Sequence, residues 1–181
     1  MIEIGKKNKL QIRRLSDLGY MLINEDGDDI LLHFKEALNE HIPGEDVNVF
    51  IYYDKKHRIT ATEKEVYVTL DEANLLEVKE INYEYGIFLN INTPKDVLYS
   101  KDNLPTNQKY WPKVGDFILA RLKIKGNTFI LKKLSKNEIV ALNNNINYAE
   151  KEIITSYVHS INEKGITVVS KDLMAIFIPT F

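Results

Sequence analysis

The chain has 181 residues, a net charge of −2 and no cysteine, with 44% hydrophobic and 28% charged residues. This is the composition of an ordinary globular protein; it excludes disulfides and cysteine-based metal centres, and no apolar run reaches a membrane span. The N-terminus, Met-Ile-Glu-Ile-Gly-Lys-Lys, lacks the apolar centre of a secretory signal, so a cytoplasmic protein is expected. Charge is uneven: Lys/Arg and Asp/Glu number 10 and 13 in residues 1–66, 10 and 8 in 67–135, and 4 and 5 in 136–181. Only the middle segment has a positive balance.

Lys9 to Leu15 sets Leu10, Ile12 and Leu15 among basic residues and reads as a strand. Asp17-Leu18-Gly19 turns the chain into a second strand, Tyr20 to Asn24. Glu25-Asp26-Gly27-Asp28 makes a hairpin loop, and Asp29 to His33 follows as a third strand. Phe34 to Glu40 suits a short helix or turn, broken by His41-Ile42-Pro43-Gly44. Val47 to Tyr53 is a long apolar strand; Asp54-Lys55-Lys56-His57 turns it, and Arg58 to Thr62 returns. Five strands without a long helix predict a small closed barrel.

The plan repeats with strands at Leu75 to Tyr83, Gly86 to Ile91, Val97 to Tyr99, Phe117 to Lys123 and Phe129 to Lys133. Gly19 and Gly86 are 67 residues apart, as are Asp29 and Asp96, and Gly44 and Gly115 are 71 apart. Anchors in one order at nearly one period predict an internal repeat. Leu134, Ile139, Val140 and Leu142 share a helical face, and Asn143-Asn144-Asn145 with Asn147 reads as a linker. A third copy begins near Glu152, with strands at Ile153 to Asn162, Ile166 to Ser170 and Met174 to Ile178. Three strands do not close a barrel, so the chain is expected to be part of a longer one. The expected division is barrels over 1–65 and 67–135, a helix and linker over 136–151, and an incomplete barrel over 152–181.

Function is most legible between Ile81 and Tyr99. Alternation puts Ile87, Leu89 and Ile91 on one face of a strand and Phe88 and Asn90 on the other. The aliphatic face requires a core, which leaves Phe88 outside as a flat ring on which a nucleic-acid base can stack. The competing reading makes Phe88 a core residue, as most strand aromatics are.

The sequences Tyr85-Gly86-Ile87-Phe88, Asp96-Val97-Leu98-Tyr99 and Val114-Gly115-Asp116 resemble the OB-fold barrel of the S1 type, an RNA-binding domain. Leu18-Gly19-Tyr20-Met21, Ile30-Leu31-Leu32-His33 and Pro43-Gly44-Glu45-Asp46 match it less well: Leu18 and Met21 replace the two aromatics, while His33 keeps the histidine. Val49-Phe50-Ile51-Tyr52-Tyr53-Asp54, Arg58-Ile59-Thr60-Ala61-Thr62, Lys95-Asp96-Val97-Leu98, Leu104-Pro105 and Trp111-Pro112-Lys113-Val114-Gly115-Asp116 resemble the conserved virulence factor B family. That resemblance covers residues 1 to about 135 and implies an all-β class with tandem five-stranded OB barrels. It also implies cytoplasmic RNA binding, effects on gene expression and RNA turnover, and a winged helix that has no counterpart here.

The sequence has no phosphate-binding glycine loop and no nucleophile elbow, and His33, His41, His57 and His159 show no ligand spacing. A non-enzyme without metal or cofactor is therefore expected. Single-stranded RNA binding needs rings and cations. In the second module Tyr85, Phe88 and Tyr99 are the candidate rings, and Lys95, Lys113, Arg121 and Lys123 the candidate cations. Tyr83 replaces Tyr85 if the strand bulges, and Trp111 beside Pro112 reads as a plug for the barrel end. The first module offers Tyr20, His33 and Arg58. A solvated strand face explains the cations equally well. The alternative function is a protein-interaction module or scaffold of the translation or RNA-decay machinery, since this fold does not fix function. Expected partners are single-stranded RNA and ribosomal or RNA-processing proteins, with no membrane.

Overall fold

Runs of β-branched and aromatic residues between turns build an almost wholly β chain. The structure is a computed structural model and describes residues 1–24, 26–142 and 146–180. Strands β1 (Lys7–Leu15), β2 (Gly19–Ile23), β3 (Asp29–His33), β4 (Asp46–Tyr53) and β5 (Ile59–Thr62) close a barrel in the order β1-β2-β3-β5-β4. Strands β6 (Asn74–Asn82), β7 (Gly86–Leu89), β8 (Val97–Ser100), β9 (Phe117–Ile124) and β10 (Phe129–Lys133) close a second in the order β10-β8-β7-β6-β9. In both, the third and fifth strands pair in parallel and the other pairs run antiparallel. A short helix α1 (Lys136–Ala141) precedes an antiparallel sheet of β11 (Ser156–Asn162), β12 (Gly165–Ser170) and β13 (Ala175–Pro179). The class is tandem five-stranded barrels with an incomplete third. Glu25 of the expected hairpin loop and residues 143–145 of the expected linker lie outside the described residues.

All three modules share one backbone device. Gly19, Gly86 and Gly165 open their second strands opposite His33, Ser100 and Pro179. A Cβ there would collide with the carbonyl of Leu32, Tyr99 or Ile178, so only glycine permits this approach. Each first strand also shifts register at the same place, between Ile12 and Arg14, Val78 and Glu80, and Val158 and Ser160. The repeat is therefore a repeat of register, which makes positions comparable across modules.

Inward residues fill each barrel: Ile12, Leu22, Leu32 and Ile51 in the first, Leu76, Ile87, Leu89 and Leu122 in the second, all fully buried. Each such side chain contributes about 1.5–3 kcal/mol relative to exposure. The barrels also pack on each other. Phe50 and Tyr52 leave the first barrel's outer face and join the second barrel's core cluster. Phe129 of the second barrel meets this face, its ring 6.2 Å from Phe50 and 5.7 Å from Tyr53. The third sheet docks separately through Leu119, Leu134, Ile139 and Val169, with Phe117 and Tyr157 rings 5.1 Å apart.

Helix α1 is shorter than expected and its face differs. Ser135 caps it reciprocally with Glu138, Ile139 is buried, and Val140 faces solvent. Six helical residues make under two turns, too few for Val140 to share the buried stripe.

Candidate nucleic-acid interface

The second barrel's outer face is set by strand parity. Ile87, Leu89 and Ile91 point into the core, so Phe88 points out and is half-buried. Phe88 lies directly opposite Leu98, Leu98 opposite Ile130, and Ile130 opposite Lys123. An apolar row thus runs across β7, β8 and β10 and ends on a cation at β9. One step along, Lys132 lies opposite Arg121. Lys123 and Lys132 are exposed and make no ion pair among the described residues. The neighbouring Lys123 holds the Lys132 amine below the ordinary lysine range, with the like charge of Arg121 adding to it. An anion arriving here would relieve that repulsion.

The nine expected binding residues divide. Tyr85 is 53% exposed in the β6–β7 turn. Lys95 is half-buried and lines, with Phe88, a cleft of about 220 Å³ that Tyr53 of the first barrel also lines. Lys123 stands on the cationic edge. Phe88 and Lys95 share the cleft, Lys123 ends the outward row that starts at Phe88, and Tyr85 stands apart in the turn at the other end of β7.

Tyr99 does not join them. It is 3% exposed and pairs with Ile87 inside the barrel, where burial pushes its phenol pKa up. Val97 points inward, so parity sends Tyr99 inward and Leu98 outward; Leu98 is the true neighbour of Phe88. Tyr20 is likewise buried, its hydroxyl accepting the His41 N–H at 3.1 Å and its ring edge-on to Phe34 and His41. His33 caps a single turn, its Nδ1 accepting the Lys35 N–H at 3.1 Å. Arg58 is exposed but donates through Nε and Nη2 to Asp54 at 2.9 and 2.7 Å, which shapes its hairpin. Arg121 is exposed but ion-paired to Glu138 of α1. Trp111 is buried, with Nε1 donating to the Pro105 carbonyl at 2.7 Å, as a plug would. Lys113 is exposed in the loop before β9.

Sequence reasoning missed Leu98, Ile130, Lys132 and Tyr53. The first three follow from parity once Val97, Leu131 and Lys123 are oriented. Tyr53 carried no signal, because only the packing of one barrel on the other brings it there.

The first barrel's corresponding row is Met21, Leu31, Thr60 and Tyr52. Tyr52 and Thr60 are buried, so much of this face is covered. Among the described residues no group of three or more His, Asp or Glu side chains is placed to hold a metal, and no helix is long and apolar enough to cross a membrane.

Comparison with known proteins agrees with this fold. Residues 4–64 match the family model of the S1 domain, and residues 73–131 match that of the CvfB first S1-like domain, which here is the second barrel. Over 138 residues the chain is 32% identical to the uncharacterized protein YitL of Bacillus subtilis, covering 76% of this chain and 46% of that protein. It is 25% identical over 139 residues to conserved virulence factor B of Staphylococcus epidermidis, covering 76% and 46%. The chain thus spans about half the length of the curated relatives it matches. A solved multidomain protein with nucleic acid binding domains from Streptococcus pneumoniae superposes with a TM-score of 0.80 at 24% identity, covering 97% of this chain and 62% of that one, which shows the shared fold. The chain thus carries two S1-type domains in tandem, the second matching the first S1-like domain of CvfB, and is similar to the conserved virulence factor B proteins.

Proposed function

We propose that this chain binds single-stranded RNA on the outer face of its second barrel, within a cytoplasmic protein that acts on gene expression or RNA stability. One observation carries the reading: the outward row Phe88, Leu98 and Ile130 is flanked by the exposed cations Lys123 and Lys132. Rings and apolar groups receive bases, cations track the phosphates, and the combination tolerates many sequences. No catalytic role is part of this reading. The test is titration of a labelled single-stranded RNA into the full chain at several salt concentrations. Binding should weaken linearly in log–log form, by about 0.7 for each phosphate contact. Binding that ignores salt, or no binding at low salt, overturns it.

A second reading, a protein-interaction module, draws on a different place. Leu15, Leu18, Phe34, Leu38 and Ile42 expose apolar side chains on loops and strand ends of the first barrel. Ribosomal or RNA-processing proteins are the partners that reading expects. Loss of binding to such a protein on substitution of Leu38 or Ile42, with no salt-dependent RNA binding by the second barrel, would favour it.

A further inference from the structure

The first barrel does more than cover its own face. Its β4 end brings Tyr53 against the second barrel, where the Phe129 ring, itself buried, holds the Tyr53 ring at 5.7 Å and 67°. The two adjacent hairpins meet as well: His57 Nδ1 lies 3.0 Å from the Asn127 carbonyl. The Tyr53 and Phe129 rings line a cleft of about 220 Å³. Phe88, Leu98 and Ile130 contribute from the second barrel's outer face, Tyr53 from the first barrel, and Thr128 and Asp96 add polar groups. Asp96, half-buried and close enough to Lys79 to feel its charge, lines the cleft with a carboxylate that can accept from an imino or amino hydrogen of a ligand.

We infer that this inter-barrel cleft is a pocket for one nucleobase of a bound single strand, so that the two barrels read RNA as one unit. This rests on the proposed RNA binding. Size limits the occupant: drug-sized ligands occupy pockets of roughly 300–1,000 Å³, so this cleft suits a flat ring rather than a whole nucleotide cofactor. Aromatic groups from two barrels offer faces or edges to such a ring, and a base held there gains stacking that an outer face alone does not supply. Charge selects among flat groups. Lys95 lines the cleft, and Lys123 lies directly opposite Ile130. A base inserted at Phe88 therefore carries its phosphates toward cations. An apolar peptide side chain would fill the same volume without using them.

The test is photocrosslinking of the full chain to a single-stranded RNA of about ten nucleotides, within the ~4–16 that one such barrel covers, carrying 4-thiouridine. Crosslinks should map to Tyr53 of the first barrel as well as to Phe88. In parallel, Tyr53→Ala should weaken binding roughly 5- to 150-fold, as loss of one stacked base does, with an unchanged salt slope. Salt-dependent binding with crosslinks confined to Tyr85, Phe88 and other second-barrel residues, and none at Tyr53, overturns the pocket while leaving the outer-face reading intact; the cleft would then suit a protein side chain. Absence of salt-dependent RNA binding overturns both. Crosslinking uses the unsubstituted chain, so a folding defect in Tyr53→Ala does not decide the outcome.

Discussion

Tyr52 of the first barrel and Lys123 of the second occupy the same position in their sheets, yet Tyr52 is 5% exposed and Lys123 faces solvent. Each lies opposite the outward residue of the fifth strand, Thr60 or Ile130, which lies opposite the outward residue of the third, Leu31 or Leu98. Phe50 and Arg121 correspond in the same way, opposite Thr62 and Lys132. One barrel carries aromatics where it packs on its neighbour; the other carries cations where it meets water. The same fold thus serves docking in one copy and leaves a charged surface on the other.

Replacing Phe88 separates platform from core. It is half-buried and outward, so Phe88→Ala should weaken single-stranded RNA binding roughly 5- to 150-fold. The salt slope should stay unchanged, because no phosphate contact is removed. A melting loss of about 3–5 kcal/mol with normal affinity in the folded fraction would show a core role instead.

Lysines and arginine should differ. Lys123→Ala and Lys132→Ala should each lower the salt slope by about 0.7. Arg121→Ala should leave that slope nearly unchanged, because its guanidinium already pairs with Glu138. It should instead loosen α1, visible as faster amide exchange in residues 136–141. An Arg121→Ala slope change equal to that of Lys123→Ala would contradict this assignment.

Glycine at the second-strand entrance is required by close approach of the third strand. Gly86→Ala sets a Cβ against the Tyr99 carbonyl at φ 139°. It should cost more than about 1 kcal/mol, measured by denaturant unfolding. Gly27→Ala, whose Cβ meets nothing within 4 Å, suffers only the strain of its positive φ and should cost less. Equal costs would remove the close-approach argument.

Acid should loosen the third sheet first. Burial, with Lys133 nearby, lowers the His159 pKa to about 4. Between about pH 4 and the unfolded value near 6.5, the unfolded state binds more protons, so stability falls as pH drops through that window. Glu138, held near 2 by hydrogen bonds from Ser135 and then Arg121, adds a second loss between its unfolded value near 4.3 and 2. The sheet is already the least covered part. Val158 and Ile178 are 55% and 49% exposed, whereas the equivalent Ile12, Val78, Leu32 and Tyr99 are buried. Hydrogen exchange in a dilute sample should show β11–β13 opening before β9, and more readily at pH 5 than at pH 7. Protection equal to that of β9 at both pH values would contradict this.

Strands and their repeat were legible because period-2 alternation and turn residues are local signals. Gly19 and Gly86, found by spacing alone, proved to be register marks. Phe88 was legible because Ile87, Leu89 and Ile91 dictate its face. Tyr99 shares the inward parity of Val97 on β8, so its ring packs in the core rather than beside Phe88. The burial of Tyr20 and the pairing of Arg58 are invisible in a strand pattern, because their partners are distant in sequence, as His41 is, or lie within a turn, as Asp54 does. Tyr53 and the cleft were not legible at all, since the packing of two barrels depends on surfaces whose fit no local period encodes.

Amide chemical-shift mapping of the full chain with a single-stranded oligoribonucleotide tests the central claim most directly. The account predicts shifts concentrated at Phe88, Leu98, Ile130, Lys123 and Lys132, diminishing as salt rises. Shifts centred on the exposed apolar residues Leu15, Phe34 and Leu38 of the first barrel, or on β11–β13, with the second barrel's outer face unperturbed, would contradict it.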